Sequence, residues 1–200
     1  MPKQKIKAVI FDLGGVVVHG GYLDFIRHYV KKALTPAGKK RLAQLERQVN
    51  AGLITETRFY REIDQTFDVH FTAQQIHNLI VKKMKADKAL IHFIPKLKPA
   101  KVAMFTNSIG HLTREVMKKR RIPVRKLFVE VFDSVKLHLI KPDKQAYRFV
   151  LHKLKVKPRE ALMVDDRADN IKGAKQIGMQ GIVYKNSRTF RKALRHYEIV

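Results

Sequence analysis

The sequence predicts an α/β fold: a parallel sheet covered by helices on both faces, with an all-helical block inserted after the first strand. Three observations predict it. Short apolar runs recur along the chain and end in acidic or small polar residues. Amphipathic helical patterns alternate with the later runs. Between residues 18 and 94 the strand-like runs disappear and helical periodicity takes over. Strands buried on both faces read as continuous apolar runs, and their alternation with helices is the pattern of a parallel sheet.

Each element has its own signal. Residues 6–13 read as a buried strand that breaks into a loop at Gly14 and Gly15. Similar runs predict strands over 101–107, 131–137, 161–166 and 181–185. Within the helical block, Pro36 follows Thr35, a favourable pair for a first turn. Thr72 and Gln75 fit a capping box ahead of Ile76, Leu79 and Ile80. Among the later helices, Ala146, Phe149, Val150 and Leu154 share one face. Ile171, Ala174 and Ile177 share another, which Gly178 can close.

Composition narrows the class. A chain of 200 residues fits one core with a small insertion. Cysteine is absent, which excludes a disulfide scaffold, a thiol nucleophile and thiolate zinc sites, and suits a reducing cytoplasm. No stretch approaches the roughly 18 apolar residues of a membrane span, so no membrane insertion is expected. The chain runs from Met1 straight into a strand-like segment, without the pattern of a signal peptide. Lys and Arg number 42 against 17 Asp and Glu, a net charge of +25. Such a potential attracts phosphorylated metabolites, nucleic acid or anionic membrane. The densest basic cluster holds Arg114, Lys118, Lys119, Arg120, Arg121, Arg125 and Lys126. No aromatic residue interleaves there, so it reads as a solvated face and nucleic acid is the less favoured partner. The sequence does not reveal the oligomeric state.

The chemistry lies where strands end, because open α/β sheets bind ligands beyond the carboxyl ends of their strands. There the chain offers Asp12, Thr106-Asn107-Ser108, and Asp165-Asp166, with Lys141-Pro142-Asp143 ahead of a helix. Two carboxylates about 4 Å apart repel by about 4 kcal/mol at an effective dielectric near 20. A cation relieves this, and an all-oxygen set favours Mg²⁺ over zinc. Lys141 adds charge, and Thr106 and Asn107 add hydrogen-bond donors, for a phosphoryl group. The set suits phosphoryl transfer through an aspartyl phosphate. Taken singly, each acid reads equally well as a turn or cap residue; order and spacing carry the signal.

These segments together resemble the four motifs of the haloacid dehalogenase superfamily. Phe11-Asp12-Leu13-Gly14-Gly15 resembles the first and Phe105-Thr106-Asn107-Ser108 the second. Lys141-Pro142-Asp143 with Ala146 and Tyr147 resembles the third. The fourth is matched by Val164-Asp165-Asp166-Arg167-Ala168-Asp169-Asn170 with Gly173 and Gly178. The resemblance spans nearly the whole chain. It implies a Rossmann-like core over 1–17 and 95–200 and a helical C1 cap over 18–94. It further implies that Asp12 is the nucleophile and a Mg²⁺ ligand, joined by Asp165, Asp166 and the carbonyl of Gly14. Thr106, Asn107 and Lys141 would bind the phosphoryl group of a small phosphorylated metabolite. Asp169 is expected to cap the following helix.

One position departs from the motif. Most phosphatases of the superfamily carry a second Asp, the general acid, where this chain has Gly14. Losing such an acid costs roughly 10²–10⁴ in rate, or about 3–5 kcal/mol. Three readings follow. The protein could be a phosphatase that favours good leaving groups. Another group, such as His19 or a cap residue, could supply the proton. Activity could instead be lost, leaving a binding module, with polyanions as its candidate ligands. The superfamily's 2-haloacid dehalogenases also lack the second Asp, but paired acids suit neither their uncompensated nucleophile nor a carboxylate substrate. The Phe-Asp-Leu-Gly form resembles sugar-phosphatase-like proteins and the phosphatase-type domain of epoxide hydrolases, which favours retained activity. Tyr22, Phe25, Phe59 and Tyr60 fit a cleft lining or ordinary helix packing equally well.

Overall fold

In the computed structural model, which describes residues 4–30 and 35–199, the apolar runs form one five-stranded parallel sheet. Parts of the expected domains (residues 1–3, 31–34 and 200) lie outside the described residues. The chain opens with β1 (Gln4–Ile6) and β2 (Ala8–Phe11). A helical stretch follows, bounded by β3 (Val18–His19) and β4 (Lys85–Ala86). It contains α1 (Tyr22–Phe25), α2 (Pro36–Asn50), α3 (Glu56–Phe67) and α4 (Ala73–Lys83). Then come α5 (Lys88–Phe93), β5 (Lys101–Thr106), α6 (Leu112–Lys119), α7 (Val124–Leu127), β6 (Glu130–Asp133), α8 (Ser134–Leu137) and α9 (Lys144–Leu154). The chain closes with β7 (Ala161–Asp165), α10 (Ala168–Lys175), β8 (Gln180–Val183), α11 (Ser187–Ala193) and β9 (Tyr197–Ile199).

The sheet order is β6-β5-β2-β7-β8, with β2 at the centre. Ile10 pairs with Ala103 on one side and Met163 on the other, so the carboxyl ends of β2, β5 and β7 line up. Alternation decides what each strand buries. Ala8, Ile10, Ala103, Phe105, Ala161 and Met163 face one core, closed by α9 and α10 through Tyr147, Val150, Leu154 and Ile171. Val9, Phe11, Val102, Met104, Leu162 and Val164 face the other. Both sides are covered, which is why the strands carry no polar face.

The second core runs without a break into the helical insert. Leu45 and Val49 of α2, Phe59 and Ile63 of α3, and Ile76 and Ile80 of α4 all join it. Each such side chain contributes about 1.5–3 kcal/mol by burial. Thr35 caps α2 by accepting from Gly38 N, with Pro36 in the first turn, and Thr72 and Gln75 form the reciprocal capping box of α4.

Two sequence expectations change. The run over 131–137 is not one strand: pairing with β5 ends at Asp133, and Ser134–Leu137 turn into a short helix. Asp133 causes the break by accepting from Val135 N. The insert is not wholly helical either. Val18 pairs with Ala86 and His19 with Lys85, so a two-residue ladder fastens its entry to its exit. Asp87 reinforces this ladder, accepting from the Tyr184 hydroxyl and meeting His19 Nε2 at 3.0 Å. Among the described residues no helix is long and apolar enough to cross a membrane.

Candidate active site

Four chain segments meet beyond the carboxyl ends of β2, β5 and β7. The β2–β7 pairing continues one residue past β2, where Asp12 N donates to Val164 O, and this fixes the Asp12 backbone against the start of the Asp165-Asp166 turn. The loop after Asp12 folds back at once: Gly15 N donates to Val18 O at 2.7 Å and Val18 N to Leu13 O at 2.8 Å. Gly15 has φ +73°, and a Cβ there would stand 2.1 Å from Asp166 Oδ2. The turn therefore needs glycine twice over, for its backbone and for the space that Asp166 fills. Gly14 is different. A Cβ at that position meets nothing within 4 Å, and its φ lies outside the left-handed range.

Lys141 is the centre of the charge arrangement. Its ammonium is almost fully buried, 2.8 Å from Asp12 Oδ1 and 2.7 Å from Asp165 Oδ2. The Phe105 ring lies under it, with the centroid 5.3 Å from Nζ. Its backbone is clamped by Asn107, which accepts from Lys141 N and donates to Lys141 O, both at 2.9 Å. Asn107 thus positions the lysine; its amide is engaged there. Burial alone would lower the Lys141 pKa, but Asp12 and Asp165 outweigh it and hold the ammonium charged. Burial pushes the Asp12 carboxyl up to about 7; Asp165 and Asp166 push the same way and Lys141 opposes them. The Asp166 carboxyl is also raised, chiefly by burial and then by Asp165.

Asp165 is fully buried, and its oxygens accept from Lys141 Nζ, from Asn170 Nδ2 at 3.0 Å and from Arg167 N at 2.9 Å. Asn170 is the residue that sequence reasoning missed. Its side chain holds Asp165, and its carbonyl accepts from the Tyr147 hydroxyl at 2.6 Å, which ties α10 to α9. Asp169 does not cap that helix: the cap residue is Arg167, no side-chain bond closes the turn, and Asp169 is exposed. Gly173 lets α10 press on the Lys141-Pro142 segment, since a Cβ there would come within 2.6 Å of Pro142 O.

Oxygen atoms of Asp12, Asp165 and Asp166 lie within 4.8 Å of one another, and Thr106 is buried at the end of β5 beside them. Three carboxylate oxygens, one ammonium and no sulfur or imidazole suit a hard divalent cation such as Mg²⁺. The tight approach of Gly15 to Asp166 keeps that carboxylate on the site. Other candidates fall elsewhere. His19 is bound to Asp87 and stacks on Tyr184. Phe25, Phe59 and Tyr60 are buried packing residues of the insert. Tyr22 donates to Glu46 Oε1 at 2.7 Å. Glu46, Arg47 and Asn50 lie on one face of α2 and, with Asn107, Lys141 and Arg167, line a crevice of about 430 Å³. Arg47 meets Asp143 at 2.9 Å across it.

Comparison with known proteins converges on one family. The sequence model of the haloacid dehalogenase-like hydrolases matches residues 6–178. Bifunctional epoxide hydrolase 2 of Rattus norvegicus is 33% identical over 87 residues, 44% of this chain but only 15% of that relative's length. The phosphorylated carbohydrates phosphatase of Thermotoga maritima is 26% identical over 187 residues, covering 88% of this chain and 84% of that protein. Among solved structures, a haloacid dehalogenase family enzyme of Bacteroides thetaiotaomicron, in complex with magnesium and inorganic phosphate, superposes with a TM-score of 0.72. It is 22% identical and covers 91% of this chain and 96% of its own.

Proposed function

The chain belongs to the haloacid dehalogenase-like hydrolases, and we propose that within that family it is a Mg²⁺-dependent phosphatase of small phosphomonoesters. The observation that carries this reading is Lys141 bridging Asp12 and Asp165 while Asp166 completes a cluster of oxygens. A lone buried carboxylate serves neither as ligand nor as nucleophile without such compensation.

In this reading Asp12, Asp166, the Gly14 carbonyl and an oxygen of Asp165 would hold the metal. When bound, the cation supplies positive charge against the carboxylates and the phosphoryl oxygens. The residues of the chain do the rest. Lys141 favours the ionised form of Asp12, against the burial that raises it, and aims the carboxylate. Thr106 offers its hydroxyl to the phosphoryl group. Asp12 attacks phosphorus, the alkoxide leaves, and water then cleaves the aspartyl phosphate. Asn107 and Asn170 position Lys141 and Asp165. The helical insert acts as the cap that excludes bulk water. With no side-chain acid at Gly14, the leaving oxygen departs without a proton from that position, so esters with good leaving groups are favoured. The absence of cysteine fits a reducing compartment, and we place the protein in the cytoplasm.

The test compares para-nitrophenyl phosphate with glycerol phosphate, in Mg²⁺ and in EDTA. Hydrolysis of the aryl ester that requires Mg²⁺ and exceeds the alkyl ester by roughly 10² or more supports the reading. Equal rates in EDTA would overturn it.

A further inference from the structure

Part of the basic cluster that reads as a solvated face in the sequence is one wall of a groove. Arg120 and Arg121, just past the end of α6, and Lys126 of α7 belong to that wall. Lys88 of α5 and Lys96 in the turn after it belong to the other. The groove has a volume of about 710 Å³. Its first wall follows β4, where the insert ends, and leads towards the start of β5; α7 leads into the start of β6. The groove therefore runs from the exit of the insert towards the amino ends of the strands, away from the carboxyl ends where Asp12 lies. No residue of the candidate active site lines it.

Its charges are of one sign. Those five Lys and Arg side chains line it, and no Asp or Glu does. Among the described residues, Lys88, Lys96, Arg121 and Lys126 make no ion pair and no side-chain hydrogen bond. All four are exposed, as contact with a macromolecule requires. Arg120 is already fixed: its guanidinium donates to Val81 O at 2.6 Å and to Lys82 O at 3.1 Å. A cation held in place loses little freedom when a partner arrives. The remaining lining is mostly apolar. Ile91 of α5 and Leu127 of α7 come from the two walls, joined by Ala86, Pro95 and Pro123.

This lining discriminates among polyanions. A bilayer surface is flat and does not enter a groove. Single-stranded nucleic acid stacks its bases on aromatic rings, and no Phe, Tyr or Trp lines the groove. A duplex offers its phosphates to such cations and leaves the apolar lining unused. A peptide that interleaves carboxylates with Leu or Ile uses both. We propose that this groove docks an acidic, amphipathic peptide segment of a partner protein. Its carboxylates would meet Lys88, Lys96, Arg121 and Lys126, and its apolar side chains would lie against Ile91 and Leu127. This docking does not depend on the chemistry at Asp12.

The test is fluorescence anisotropy with a short labelled peptide that repeats two Glu and one Leu. Replacing its Glu by Gln, or its Leu by Ser, should weaken binding by about tenfold or more. Arg121→Glu with Lys126→Glu should do the same, because like charges then face each other. Lys88→Gln with Lys96→Gln, on the opposite wall, should weaken it by about threefold or more. Arg148→Glu with Lys153→Glu makes the same charge change on α9, which packs on the other face of the sheet, and should alter affinity by less than about twofold. Melting temperatures should match wild type throughout, since every substituted side chain is exposed. No binding by wild type, an equal loss in the α9 variant, or equal affinity for the Leu and Ser peptides overturns the proposal. Tighter binding of single-stranded oligouridine, lost with Arg121→Glu and Lys126→Glu, assigns the groove to nucleic acid and overturns it too.

Discussion

At the scale of single residues, two adjacent glycines carry opposite lessons. Gly15 is required by a left-handed backbone and by Asp166 against it, whereas Gly14 has open space and an unstrained φ. The missing general acid is therefore not a consequence of packing. Gly14→Asp should fold normally and raise glycerol phosphate hydrolysis, relative to para-nitrophenyl phosphate, by about tenfold or more. Steady-state rates on the two esters check this. The convergence of Asp12, Lys141, Asp165 and Asp166 was legible in the sequence because charged residues in and after apolar runs have few structural reasons to recur in that order. Asn170 was not, although it sits inside the fourth motif. A neutral amide acquires its role only when the α10 turn brings it to Asp165. Asn170→Ala, which removes a donor from a buried carboxylate, should cost about 1.5–3 kcal/mol in urea unfolding. The exposed Asp169→Ala should stay within about 0.5 kcal/mol.

At the scale of elements, the strands were legible because both faces are buried, and the helices because their caps are explicit in Thr35-Pro36 and Thr72–Gln75. The end of β6 was hidden: Val135 and Leu137 continue an apolar run, and only the side-chain bond of Asp133 to Val135 N turns the chain. The β3–β4 ladder was hidden because two residues cannot display a period. The junction of α3, α4 and α6 depends on pH. His77 of α4 is held between Glu56 of α3 and Glu115 of α6. Burial alone would lower its pKa, but the hydrogen bonds it donates to Glu56 and Glu115 outweigh that and raise it. A raised folded pKa stabilises the fold fully below the unfolded value of about 6.5, and that contribution is lost as pH rises through the folded one. Thermal melts should show His77→Gln less stable than wild type near about pH 6, with the gap closing towards about pH 9. A gap that grows with pH would contradict the arrangement.

At the scale of the whole molecule, the +25 charge was plain from composition, but its use was not. Folding engages part of it: Arg120, in the basic cluster, donates to Val81 O and Lys82 O at the end of α4 and fastens insert to core. Lys141 is buried in the site. The remainder raises the local concentration of anions at a crevice whose centre is acidic. The basic groove could not be read in advance, because residues 86–96 and 120–127 meet only through the tertiary fold. What joins these scales is one claim, that the sheet, loops and insert exist to make Asp12 a nucleophile towards phosphorus. The most direct measurement is para-nitrophenyl phosphate hydrolysis by Asp12→Asn beside wild type, in Mg²⁺, with circular dichroism on both. The account predicts unchanged spectra and turnover reduced by about 10³-fold or more, the scale of a lost nucleophile. A folded Asp12→Asn protein that hydrolyses the ester at the wild-type rate would contradict it.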